Sequence, residues 1–175
     1  MCRSILLVLM AMLVPTALAQ TDDAVKKELR ALQGTWTLVV FENDRQRLDQ
    51  KGIEKEFEKT ATLLLLHIEG DKLRMGKGEN AQSFTLRKGG KPKEGTYHVN
   101  PSVSPSRVSI STGSEGGLFG GVTTFEGIYR HRGDRLEICV VWADRAELPT
   151  DFSMKPGASW RWLLVFERMT KKDGQ

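Results

Sequence analysis

Gly34-Thr35-Trp36-Thr37-Leu38-Val39-Val40 is the stretch that decides the fold. Just before it, Val25, Leu29 and Leu32 recur at i, i+4 and i+7, the spacing of one helix face, and Asp22 and Asp23 offer N-cap oxygens. From Thr35 onward the period becomes two, with Trp36, Leu38 and Val40 on one face and Thr35, Thr37 and Val39 on the other, and β-branched residues dominate. The spacing predicts a short helix over 20–34 that turns at Gly34 into a first strand.

The same period governs the rest of the chain. Further strands are expected near 61–68, 71–76, 82–88, 94–99, 106–112, 122–131, 134–142 and 160–168. Glu69-Gly70-Asp71, Gly89-Gly90 and Arg132-Gly133-Asp134 supply the residues that tight hairpins need. No helix of crossover length separates the strands, so antiparallel pairing is expected for most of the sheet. Glu42 to Thr60 and Ala143 to Ser159 are longer connections; the first holds Ile53-Glu54-Lys55-Glu56-Phe57, enough for one or two helical turns. About nine short antiparallel strands must protect their edges, and closure into an up-and-down barrel removes them. The expected fold is all-β, an antiparallel barrel of about 8–9 strands over 35–169; a two-sheet sandwich is the alternative, and 170–175 is expected to be a disordered tail.

The 175 residues suffice for one domain. The excess of 26 Lys and Arg over 22 Asp and Glu is mild, and no basic tract has the clustered footprint of a nucleic-acid binder. Arg3, the apolar run Ile5 to Val14, Pro15 and Ala17-Leu18-Ala19 read as a secretory signal over 1–19, cut before Gln20. The run is too short to span a bilayer, so an exported protein, periplasmic or secreted and without stable membrane insertion after cleavage, is expected. Cys2 would leave with the signal. Cys139, in the strand Leu136-Glu137-Ile138-Cys139-Val140-Val141, is then a lone thiol, expected to be buried and structural.

A family resemblance rests on several spaced motifs. Gly34-Thr35-Trp36 after a short helix resembles the Gly-x-Trp signature of lipocalins, and Arg168 in Phe166-Glu167-Arg168 sits where such barrels place a last-strand arginine over the first-strand tryptophan. The resemblance implies a Trp36–Arg168 latch. Leu32 to Trp36, Gly95-Thr96-Tyr97 to Pro101 with Pro105, Gly127-Ile128-Tyr129, Gly133 to Cys139, and Pro149-Thr150-Asp151-Phe152 to Gly157 together look like the lipocalin-like exported domain of unknown function that is abundant in planctomycete bacteria. Leu148 and Asn100 depart from that pattern, where an arginine and an aspartate are expected. The resemblance implies a barrel and an exported location, and no established activity.

Chemistry-bearing patterns are sparse. His67, His98 and His131 lie on separate strands without metal-ligand spacing, so no metal is expected. Gly113 to Gly121 lacks the Lys-Ser/Thr and the helix of a phosphate loop; it reads as a connection at a barrel mouth, with Leu118 and Phe119 as a small lid or contact point. No Gly-x-Ser-x-Gly elbow occurs, and no carboxylate pair stands out, so no catalytic residue or cofactor is assigned and an enzyme is the third alternative. Arg132-Gly133-Asp134 spells an adhesion tripeptide, but a hairpin turn is the stronger expectation.

On the last strand Trp160, Trp162, Leu164, Phe166 and Arg168 share a face by parity, and Arg161, Leu163, Val165 and Glu167 share the other. Both faces carry apolar residues. The Trp162 face is taken as inward because it includes Arg168. Leu38, Val40, Tyr97, Phe125, Tyr129, Ile138, Val140, Phe152, Trp162 and Leu164 are the expected lining of the interior or its mouth. An eight-stranded barrel is just wide enough to be filled by side chains, so a packed core and a ligand cavity are both open. A non-catalytic binder of a small apolar or amphipathic ligand or a peptide comes first; a filled barrel contacting an envelope protein through Ser114 to Val122 and Ala143 to Ser159 comes second.

Overall fold

The computed structural model describes residues 16–57, 65–76, 95–113, 122–144, 147–154 and 160–169. The expected strand at 82–88, the Gly89-Gly90 turn, the Leu118-Phe119 lid, the tail at 170–175 and most of the signal lie outside them. Helix α1 (Thr16–Leu32) is followed by β1 (Gly34–Glu42), β2 (Arg47–Asp49), α2 (Gln50–Phe57), β3 (Leu65–Glu69) and β4 (Lys72–Gly76). Then come β5 (Gly95–Asn100), β6 (Arg107–Gly113), β7 (Val122–Arg132), β8 (Arg135–Trp142) and β9 (Arg161–Arg168). Because α1 already begins at Thr16, Asp22 and Asp23 lie within it and do not cap it. No helix among the described residues is long and apolar enough to cross a membrane.

Every strand pair is antiparallel, in the order β1-β3-β4-β5-β6-β7-β8-β9, and β1 also pairs with β9, so eight strands close a ring. β2 is an extra strand on the far half of β1, beyond the reach of β3, and α2 continues from it to lay Ile53, fully buried, into the core. The barrel thus replaces the sandwich alternative. Arg132-Gly133-Asp134 is a hairpin corner between β7 and β8, with Gly133 at φ 59.

The latch closes the α1 end of the ring. Trp36 pairs with Arg168 across β1 and β9, and the guanidinium carbon stands 4.0 Å from the indole centroid. Arg168 also donates to the carbonyls of Ala31 (2.6 Å), in the last turn of α1, and of Gln33 (2.7 Å), just past its end, where a cation suits the helix dipole. Its Nε lies 3.3 Å from the Asp134 carboxylate, so the acid of the adhesion-like tripeptide serves the closure. Trp36, with no solvent exposure, donates from Nε1 to Leu32 O at 2.9 Å. Gly34 explains the start of the motif: its φ of +114 turns helix into strand, and a Cβ there would lie 3.1 Å from the Arg168 guanidinium.

A second apolar cluster lies on the outside of the wall. Ile128, Cys139, Leu163 and Val165 pack there with Val39, Val40, Phe152 and Met154. The segment 147–154 covers them as a strap held by three strands: Arg107 donates to Pro149 O (3.3 Å), Arg161 to Ser153 O (2.9 Å), and Arg130 stands 4.5 Å from the Phe152 centroid. Both faces of β9 are therefore buried, which accounts for apolar residues at both parities.

Candidate functional site

Ten residues were expected to line the interior or its mouth, and the structure divides them. Tyr97, Tyr129, Ile138 and Leu164 surround a cavity toward the α1 end, with Leu32, Leu66, Ile68, Leu136 and Phe166. Leu38 and Val140 belong to the same inner core. Phe125 and Trp162 lie further along, at the end of the barrel opposite α1. Val40 and Phe152 are corrections. A bulge between Leu38 and Val40 shifts the phase of β1 by one residue, so Phe41 turns inward and Val40, opposite Val165, faces the outer cluster. Phe152 is on the strap, outside the wall.

The cavity is about 40 Å³. A single water needs roughly 10–15 Å³ of such space, and pockets for drug-sized ligands run to roughly 300–1,000 Å³. Side chains fill most of the described interior. Its polar edge is the Tyr97 hydroxyl, which donates to Gly70 O (3.0 Å) and accepts from Gln33 Nε2 (3.3 Å). Gln33 also accepts from Gly70 N at 2.7 Å, so one side chain ties the helix end to the β3–β4 turn. Burial raises the Tyr97 phenol above its ordinary value, against the Gln33 bond. Tyr129 is raised further, first by burial and then by the Glu28 charge; Glu28 and Ser106 lie near its hydroxyl without closing a hydrogen bond of ordinary geometry. Both phenols therefore stay neutral around pH 7.

The far end has a different chemistry. Phe125 and Trp162 lie 5.5 Å apart between centroids, Trp162 and Trp142 5.9 Å at an edge-to-face angle of 78°, and Trp142 and Trp160 4.9 Å at 17°, a parallel stack. The rings climb from a buried Phe125 to Trp160, which is 44% exposed. Trp160 precedes β9 at φ 70, a left-handed backbone that costs a bulky side chain roughly 1–3 kcal/mol. Trp142 and Trp160 are additions to the expected set. Parity with Ile138 and Val140 could have found Trp142; nothing local signals that Trp160 leaves the regular strand.

Other reactive groups are occupied elsewhere. Cys139 lies without exposure under the strap, and burial pushes its thiol up to about 11, so it is a packing residue at neutral pH. Burial alone would raise the Glu137 carboxyl, but hydrogen bonds and charge from Arg130 and Arg135 bring it below the ordinary value. His131 packs edge-on to Trp36 at 5.7 Å, and His67 Nδ1 bonds the Thr35 hydroxyl at 3.0 Å. Among the described residues no group of three His, Cys, Asp or Glu side chains converges. No protein-family model, curated protein or solved structure matches the chain. The site has therefore to be read from its own chemistry.

Proposed function

We propose that this chain is an exported, lipocalin-like, non-catalytic binding protein that takes a small apolar or amphipathic molecule at the barrel end opposite α1. The observation that carries it is the aromatic ladder: Phe125, Trp162, Trp142 and an outlying Trp160 form an apolar wall that ends in a solvent-exposed indole. Concave apolar surface at a barrel mouth is a common ligand position. The signal-like segment before Gln20 supports export, and the Trp36–Arg168 latch supports the lipocalin-like class. The small interior cavity argues for a ligand held at the mouth, not swallowed. Native mass spectrometry of the purified protein with a titration of a solvatochromic dye tests this. Saturable binding that changes tryptophan emission is expected; absence of both a co-purified small molecule and saturable dye binding would overturn it.

A second reading draws on the same filled interior together with Leu148, 47% exposed on the strap. Such a barrel would use the strap to contact an envelope protein. A photocrosslinker at Leu148 that captures one discrete partner in cells, lost on Leu148→Asp, would favour it over the small-ligand reading.

A further inference from the structure

We propose that the outer groove over β7, β8 and β9 is a peptide site, filled in this structure by the chain's own strap, residues 147–154. Its exchange partner is an extended peptide of another protein with the strap's pattern: proline, two residues, phenylalanine, one residue, methionine. The groove lies on the outer wall, apart from the barrel mouth, and the proposal does not depend on a mouth ligand. The wall beneath the strap is apolar where an outer face is elsewhere polar. On β5 and β6 the outward residues are His98, Ser109 and Ser111, all at least partly exposed, whereas Ile128, Cys139, Leu163 and Val165 form a buried cluster outside the barrel. An apolar patch of this kind on a solvent-side wall marks a surface built to be covered.

The strap that covers it is not a strand and enters no sheet pairing. It is held as a bound peptide is held, by side chains of the wall acting on its main chain. Arg107 of β6 donates to Pro149 O and Arg161 of β9 donates to Ser153 O, and neither bond reads a strap side chain. The anchors supply the specificity. Pro149 is fully buried and brings no N–H that burial would leave unsatisfied. The Phe152 ring lies 4.5 Å from the Arg130 guanidinium, and Met154 packs on the cluster. Arg130 is braced by Glu137 of β8, a partner that belongs to the wall and not to the strap. Thr150 and Ser153 are exposed, so the pattern leaves those positions free to vary. A tethered strap competes at high effective concentration, and a peptide in trans therefore binds best where the strap is weakened.

The test uses the full chain and a fluorescent peptide of residues 148–154, Leu-Pro-Thr-Asp-Phe-Ser-Met, followed by anisotropy. A chain carrying Phe152→Ala and Met154→Ala loosens the strap and keeps the wall. It should bind the peptide saturably, and the unaltered chain at least about tenfold more weakly. Cys139 reports the same event from below: a thiol reagent should label it about tenfold faster or more in the double variant, and slowly again once the peptide is added. Alanine in place of the peptide's phenylalanine, and Arg161→Met added to the double variant, should each weaken binding by about tenfold. If the double variant loses the native circular dichroism spectrum, Phe152→Leu, which keeps an apolar side chain and removes the ring, takes its place with the same readouts. Absence of saturable binding to a folded, weakened chain overturns the proposal, as does binding indifferent to both the peptide's phenylalanine and Arg161. Dimerisation of the unaltered chain that is lost in the double variant assigns the groove to the strap of a second copy and overturns a foreign partner.

Discussion

Trp36 and Trp160 are the same residue in opposite circumstances. Trp36 sits in a regular strand, has no exposure, donates its N–H to a helix carbonyl and carries a guanidinium over its ring. Trp160 sits outside the strand, in a left-handed backbone, with its indole 44% exposed and stacked on another indole. At the α1 end the Trp36 N–H and the Arg168 guanidinium both have partners and the chain is pinned. At the far end an apolar surface is maintained at a cost in backbone strain. The difference teaches where stability and recognition reside: one end seals the ring, the other displays a surface.

Substitutions at the two sites should therefore differ most in stability. Trp36→Ala removes a fully buried indole and its hydrogen bond, and a loss of about 3–5 kcal/mol in urea unfolding is expected, enough to leave little native protein. A loss below 1 kcal/mol would mean that the latch does not hold the barrel shut. Arg168→Met keeps the stem but removes the cation over the ring and leaves the Ala31 and Gln33 carbonyls without this donor. About 2 kcal/mol is expected, with the unfolding slope unchanged. If Arg168→Lys restores nearly all of it, a point charge suffices and the planar fork is unimportant.

Cys139 extends the comparison to the outer face. Its folded thiol titrates near 11 against 9.0 for an ordinary one, so the native state binds the extra proton between those values. Stability is then fully present below the ordinary thiol range and falls as pH rises toward the folded value. Between about pH 9 and about pH 10 the loss should be on the order of 1 kcal/mol greater than in Cys139→Ala, measured by chemical denaturation of both proteins. Parallel curves for the two would show that the strap does not exclude water from the thiol.

The smallest effect is expected where the backbone is most unusual. Trp160→Gly relieves the positive φ while losing the side chain's contacts, the Trp142 stack among them, and these terms oppose each other, so the unfolding free energy should change by less than about 1 kcal/mol in either direction. A destabilisation approaching that of Trp36→Ala would make Trp160 a core residue and end the contrast.

Much of this was legible in the residues. Alternation at Trp36 and Leu38, the glycine corners at Gly70 and Gly133, and the absence of crossover helices lead directly to antiparallel hairpins and a closed ring. The expected stacking of Arg168 on Trp36 is present. Within the site, the phase of Tyr97, Tyr129, Ile138 and Leu164 was readable, because each lies in a strand whose period is unbroken up to that point. Val40 was not readable: the bulge that reverses its direction leaves no mark in Leu38-Val39-Val40, three apolar residues in a row. Phe152 was not either, since a residue in a long connection can pack on whichever wall the loop crosses.

What the sequence by itself determined is the alternation of each strand and the order of the hairpins, consequences of local period and turn chemistry. Only the tertiary structure decided which side of each strand is inside, that the inner face of the described residues encloses a cavity of about 40 Å³ toward the α1 end, and that Trp142, Trp160 and Trp162 gather at the opposite rim. Parity divides a strand into two faces but gives neither a name. Closure of the ring, the bulge in β1 and the strap across β7 to β9 assign them, and those depend on residues far apart in the chain.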